Sequence, residues 1–196
     1  MVTAKTTPRG RPRDARAHAA ILTTAAELVT ETGYAAMSLG AVAARARVGK
    51  DTIYRRWSGK AELVYEAVFT TTDTAPVPDT GTLEGDLTVL VQQLIDEFSA
   101  PAAAAALPGL LADFAAAPEL RATIRSAFLA PAKQRLADVF DRARARGETV
   151  PGVESDLVLD SLVGTVLFRL GILGEPASPR LARSVAGIAA KGIEAR

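Results

Sequence analysis

The sequence predicts an all-α protein in two parts, a front of short helices and a longer helical rear. Three observations predict it. Apolar residues recur at helical spacing through the structured segments. No alternating run closes on a hairpin turn. A stretch at 71–82, holding Pro76, Pro78 and Gly81, interrupts the periodicity. The expected organisation is an arm at 1–13, a front domain at 14–70, a linker at 71–82 and a rear domain at 83–196.

Residues 1–13 are Thr, Lys, Pro, Gly and Arg without periodicity, and read as a flexible basic arm. Helix 1 is expected over about Asp14–Thr32, because Ile21, Ala25 and Leu28 repeat at i, i+4 and i+7. Gly33 follows as a residue that turns left-handed without a Cβ clash. Ser38 is placed to cap a short helix over Leu39–Ala46, with Leu39, Val42 and Ala43 inward. Arg47, Val48 and Gly49 form a tight turn into a second short helix over Lys50–Trp57. Ser58 caps a fourth helix, Lys60–Thr70, with Leu63, Val64, Ala67 and Val68 on one side.

The rear opens with Leu83, Leu87, Leu90, Val91, Leu94, Ile95 and Phe98 on one helix. An Ala-rich helix over Ala102–Ala116 is expected to be irregular at Pro108 and Gly109. A longer one over Pro118–Arg146 is expected to kink or break at Pro131, where a ladder bond is lost and the ring clashes with the preceding turn. Asp156–Leu170 is apolar on nearly every side and must be covered all round. Its small residues Ser161, Gly164 and Thr165 would admit another helix closely. Ser178 and Pro179 start the last helix, lined by Leu181, Val185, Ile188 and Ile193. The excess apolar surface of these two terminal helices predicts a two-chain four-helix interface, formed by Leu159, Leu162, Val163, Val166, Leu181, Val185 and Ile188.

Composition removes several function classes. The 196 residues include no cysteine and one histidine, His18, so thiolate metal sites and disulfides are excluded. No metal site, cofactor or catalytic residue is expected, and His18 reads as a surface or helix-packing residue. No signal peptide and no run of about 18 apolar residues occurs, so the expected place is the cytoplasm with the nucleoid, not a membrane. Net charge is +1, but it is unevenly spread. Residues 1–70 hold eleven Lys or Arg against six Asp or Glu, while the remainder holds twelve against sixteen. A basic front fits contact with a polyanion.

The two short helices of Ser38–Trp57 have helix-turn-helix proportions. In that motif the second helix enters the major groove. Val42, Ala43, Val48, Ile53 and Trp57 can form its core, leaving Lys50, Asp51, Thr52, Arg55 and Arg56 outside. Lys50, Thr52 and Arg55 are the candidates for base edges. Tyr54 combines a ring that can pack with a hydroxyl that can reach a phosphate. Ser38 can cap and bind a phosphate at once.

The run Ser38-Leu39, Val42-Ala43, Ala46, Val48 to Lys60 and Leu63, with Gly33-Tyr34 ahead of it, resembles the DNA-binding domain of the TetR family. The resemblance covers about residues 15–68. It implies an all-α homodimer on double-stranded DNA, usually a repressor, released from its operator by a small ligand. It also implies that Lys60 contacts a phosphate. Arg47 stands where many members have glycine. Either the turn needs φ > 0, at a cost on the order of 1 kcal/mol, or it differs here and Arg47 reaches a phosphate. Asp51 stands where a small residue is usual; it suits a helix N-terminus and could accept from cytosine, yet it repels phosphates.

Two further readings complete the expectation. Pro8-Arg9-Gly10-Arg11-Pro12-Arg13 resembles the AT-hook core, which places Arg9, Arg11 and Arg13 along a narrow minor groove. Leu94, Phe98, Leu107, Leu111, Phe114 and Phe128 are expected to line an apolar effector cavity, with Gln92, Gln93, Asp96, Asp113 and Arg121 as the nearest polar groups. The competing reading is an architectural DNA-binding protein without an effector. An enzyme is disfavoured because no catalytic constellation or phosphate loop stands out.

Overall fold

The computed structural model describes residues 11–69, 76–178 and 180–193. Ten α-helices make up its regular structure, with no β-strand among the described residues. The front comprises α1 (Arg11–Ala36), α2 (Leu39–Ala46), α3 (Lys50–Tyr54) and α4 (Lys60–Phe69). The rear comprises α5 (Leu83–Ser99), α6 (Pro101–Ala116), α7 (Pro118–Ile124), α8 (Ala130–Ala145), α9 (Ser155–Val166) and α10 (Leu181–Ile193).

Gly33 breaks α1 at φ 78°, ψ 162°, one residue after the expected end. The start of α1 differs from expectation. The helix begins at Arg11, so Arg11, Pro12 and Arg13 form its first turn and not an extended arm. Proline is tolerated there because a first-turn N–H has no helical partner anyway. Arg9 lies outside the described residues. The second short helix is also shorter than expected: α3 ends at Tyr54, and Arg55 to Trp57 form a turn.

The long expected helix over Pro118–Arg146 divides where Pro131 demands it. A π-helical turn at Arg125–Leu129 separates α7 from α8 and widens the backbone just ahead of the ring. A second π-turn, Leu167–Ile172, extends α9. The segment before α5 is tied to the rear by Asp86, a fully buried side chain. Its Oδ1 accepts from the Thr80 backbone N–H at 2.6 Å and from the Thr80 hydroxyl at 2.8 Å. Thr82 caps α5, accepting from the Gly85 N–H at 3.2 Å.

Two apolar cores result, and the boundary between them is not the boundary in the sequence. One core joins Ile21, Val29, Val42, Ile53, Trp57, Leu63 and Val64 of the front to Ala103, Ala106, Leu107 and Leu110 of α6. The other joins α5, α8, α9 and α10 through residues such as Leu87, Phe140, Leu162 and Ala186. Helix α6 therefore belongs to the rear by sequence and to the front by packing. The helix runs unbroken through Pro108 and Gly109, where irregularity was expected, and the glycine has a packing role. A Cβ on Gly109 would stand 2.1 Å from Cδ1 of Tyr34, so only glycine lets the Tyr34 ring lie on the helix backbone.

Candidate DNA interface and effector cavity

Local chemistry fixes the pose of α2 and α3. Ser38, extended at φ −128°, accepts from the Ala41 N–H at 3.1 Å and caps α2 as expected. Arg47 closes α2 in the left-handed region, φ 55°, ψ 43°, and is the one non-glycine residue with positive φ among the described residues. Of the two readings of this turn, the backbone takes the φ > 0 form. Ile53 is fully buried and Trp57 nearly so. That leaves Lys50, Asp51, Tyr54 and Arg55 exposed and Thr52 half-buried. Tyr54 is 58% exposed, so it is a surface residue and not a core tyrosine. The end of the Lys50 side chain crosses Gly40: a Cβ there would stand 3.3 Å from Lys50 Cε and 3.8 Å from the Ser38 hydroxyl. Ser38 and Lys50 thus converge at the start of α2.

Six contacts hold this unit in place, and sequence reading found none of them. Trp57 Nε1 donates to Glu66 Oε2 at 2.6 Å. His18 stacks on the indole at 5.2 Å and pairs through Nε2 with Glu66 Oε1 at 2.9 Å, so its role is helix packing. Arg56 pairs with Asp14 and donates to the Thr52 carbonyl at 2.9 Å, which turns it back onto α1 and α3. Arg45 joins Glu31 at 2.7 Å.

Lys60 is engaged inside the protein. Its Nζ donates to the Tyr34 carbonyl at 3.0 Å and sits 4.2 Å from the ring centroid. The Tyr34 hydroxyl donates in turn to Asp113 Oδ2 on α6. Burial pushes the Tyr34 phenol above its usual range, and the Asp113 hydrogen bond and charge push it further, so it stays a donor. Arg121 caps the end of α6, donating to the carbonyls of Phe114 and Ala115. Front and rear are thereby linked by a chain from Lys60 through Tyr34 to Asp113, one residue short of Phe114.

A cavity of about 320 Å³ lies between the two cores. The expected residues Leu94, Phe98, Leu107, Leu111, Phe114 and Phe128 all line it. Of the expected polar groups only Gln93 does; Gln92 and Asp96 bond each other at 2.8 Å on the surface. Sequence reading missed Tyr65 and Phe69 of α4, whose i, i+4 spacing was the available signal, and it missed Glu97, Lys133 and Asp160. Leu111 and Leu129 are partly exposed, so the cavity is open on that side.

The expected interface residues divide. Leu159 and Val166 are buried in the chain's own second core, Leu162 and Val185 are buried there too but also line the groove between α9 and α10, and Val163 lines the cavity. The reason is that the i, i+3, i+7 row of α9, Leu159, Leu162 and Val166, packs inward on α5, while its polar residues Asp156, Asp160, Ser161 and Thr165 face out. Leu181 is half-buried. The outward faces carry Leu157 at 60%, Phe168 at 53% and Ile188 at 75% exposure, with Ser161, Gly164 and Thr165 also outside. A groove runs between α9 and α10 here, lined by Leu157, Ser161, Thr165, Ile188 and Gly192.

Residues 21–67 match the family described as bacterial regulatory proteins, tetR family, and residues 77–189 match the tetracyclin repressor-like C-terminal domain. The chain belongs to the TetR family. It is 30% identical over 188 residues to the uncharacterized HTH-type transcriptional regulator YdeS of Bacillus subtilis, covering 95% of this chain and 94% of that one. It is 34% identical over 177 residues to the DNA-binding transcriptional repressor TetR of Mycobacteroides abscessus, covering 85% and 86%. The crystal structure of the TetR family transcription regulator SCO0332 superposes with a TM-score of 0.73 at 25% identity, over 90% of this chain and 98% of that one. As a TetR-family protein the chain is a DNA-binding transcriptional regulator. No single described helix is long and apolar enough to cross a membrane.

Proposed function

We propose that this regulator is a homodimeric repressor that leaves its operator when a small molecule enters the cavity, and that it acts where the chromosome is, in the cytoplasm. The observation that carries the reading is that α4 belongs to both halves: it starts at Lys60, beside the DNA-facing unit, and presents Tyr65 and Phe69 to the cavity.

In this reading Lys50, Thr52 and Arg55 meet base edges, with Asp51 and Tyr54 beside them on the exposed face of α3 and its following turn. Ser38, Arg47 and Lys60 bind phosphates, Arg47 from its left-handed turn. Lysine has three donors, so Lys60 can hold Tyr34 with one and reach a phosphate with another. Arg9, and Arg11 and Arg13 in the first turn of α1, add contacts beside this unit. The domain division at 14–70 and 83–196, joined by 71–82, is retained with α6 as the seam.

A second copy covers the exposed apolar face of α9 and α10. Leu157, Phe168 and Ile188 supply the apolar contacts, and Ser161, Gly164 and Thr165 allow close approach. Two recognition helices on one side of a duplex must match half-sites one helical turn or a multiple apart. An occupant that pushes on Tyr65, Phe69 and Phe114 moves α4 and α6 together, and Tyr34 carries the shift into α1. The occupant acts only to the extent that it binds the released arrangement more tightly.

The test combines light scattering with gel-shift titration on the DNA upstream of the protein's own coding sequence. A dimer, with specific binding about 10³-fold or more above competitor DNA, is expected. A preference of only a few fold would favour the architectural reading. A monomer at micromolar concentration would remove the half-site argument.

A further inference from the structure

Ten aromatic side chains occur in the whole sequence, and five of them stand on one cavity. Tyr65 lies 5.3 Å from Phe128 and 6.0 Å from Phe114, centroid to centroid; Phe69 lies 5.7 Å from Tyr65 and 5.3 Å from Phe98. The five rings form a continuous arc. All four pairs are tilted, at 35° to 57°, and none is stacked. No ring of the arc therefore covers the face of another, and faces and edges remain for a ring placed against them.

The opposite side of the same space is aliphatic. Leu90 and Leu94 of α5, Leu136 of α8, and Leu159 and Leu162 of α9 belong to the second core. The cavity is thus bounded by rings toward the DNA-facing half and by branched aliphatic groups toward the rear.

Its charged groups are already committed. Lys133 Nζ pairs with Asp160 Oδ1 at 2.7 Å and lies 3.9 Å from Asp156. Glu97 is buried and engaged within the chain. A charged ligand would lose its hydration here without meeting a free counter-charge, which is costly. Gln93 offers a neutral donor and acceptor on the wall.

We propose that the cavity selects an uncharged, multi-ring aromatic molecule, with its rings on the α4 side and any saturated part toward α5, α8 and α9. This rests on the reading of the cavity as an effector site. Aromatic selection differs from simple greasiness, because a saturated bicycle is at least as hydrophobic but has no π face. The ring plane meets the five-ring arc through offset and edge-to-face contacts, and a hydroxyl on the ligand can be read by Gln93.

Three probes test this on the full-length protein: 2-naphthol, its saturated counterpart decahydro-2-naphthol, and the anion 2-naphthoate. Binding is read directly, by calorimetry and by naphthol fluorescence, apart from any DNA release. The expected result is 2-naphthol at least tenfold tighter than either of the others. Phe114→Leu and, separately, Phe128→Leu, each verified as folded by its melting transition, should narrow the gap to decahydro-2-naphthol.

Equal binding of 2-naphthol and the saturated bicycle by the unmodified protein overturns aromatic selection but leaves a ligand-binding cavity. Tighter binding of the naphthoate overturns the requirement for no charge. Absence of binding by all three overturns this proposal and the effector reading together. Tight naphthol binding that leaves the DNA complex intact leaves the ligand class standing and removes the release mechanism.

Discussion

The proposed roles place the work of the front on its surface and that of the rear in its interior. Around α2 and α3 the residues proposed to meet DNA, Ser38, Lys50, Thr52 and Arg55, stand outside a small core, each set by a cap, a turn or one buried neighbour. In the rear the feature proposed to take an effector is the shape of the space left by α4, α5, α6, α8 and α9, to which each lining residue contributes one wall. The two halves tolerate change differently. A surface change in the front alters what is read, while a change in the rear alters whether the space and its walls exist. The seam between them, where α6 meets Tyr34, belongs to both.

The seam offers the largest expected effect. Gly109→Ala places a methyl group inside the Tyr34 ring, with Cδ1 at 2.1 Å and Cγ at 2.7 Å from the new atom. The ring cannot slide freely, because Lys60 covers it and Asp113 holds its hydroxyl. Overpacking of this kind costs about 1–3 kcal/mol, read as a lowered urea midpoint. Tyr34 should also lose its hold on Asp113, so DNA affinity and ligand response should change together. An unaltered midpoint would mean that front and rear are not rigidly joined at this point.

Glu66→Ala tests whether the front really depends on so few anchors. It removes the acceptor of the buried Trp57 N–H and the partner of His18. A buried donor left without a partner costs about 1–2 kcal/mol, measurable by thermal unfolding. Operator affinity should fall at every base position alike, because Glu66 positions the recognition unit without touching bases. A loss confined to one operator position would instead make Glu66 part of the reading surface.

These two sites show what was legible in the sequence and what was not. Helix positions followed from periodicity. Ser38 as a cap, Gly33 as a left-handed break and Trp57 as core followed from local rules that need no partner. The cavity wall was legible in part, since Phe98, Phe114 and Phe128 are conspicuous in an aliphatic chain. Tyr65 and Phe69 were not found, because on α4 they look like ordinary core-facing residues until α6 and the 125–129 turn are placed. The inward and outward rows of α9 could not be separated, since Leu159 and Leu157 are the same residue type and only packing on α5 distinguishes them. Glu66 gave no signal because its role exists only across α1, the turn after α3, and α4.

A contrast within the front comes next in size. Lys60→Ala should weaken binding to all sequences and reduce the slope of log affinity against log salt by about one unit. Arg55→Ala should relax preference at one base pair, worth about 1–3 kcal/mol of discrimination there with little effect on folding. If Lys60→Ala leaves the salt slope unchanged, its ammonium serves only Tyr34, and the phosphate role is left to Ser38 and Arg47. If Arg55→Ala lowers affinity uniformly, Arg55, at the end of the short α3, contacts the backbone of the duplex.

The smallest effect concerns Arg47, where stability and reading are opposed at one residue. At φ 55° its side chain strains the turn, and glycine relieves that strain. The gain is partly cancelled because glycine also frees the unfolded chain, so Arg47→Gly should stabilise by less than about 1 kcal/mol. Such a stabilisation, accompanied by a weaker, less salt-dependent DNA complex, would show that the strained arginine is kept for a phosphate. Stabilisation with unchanged DNA binding would leave Arg47 as a turn residue only. The front would then read its operator through α3, its following turn and the start of α2 alone.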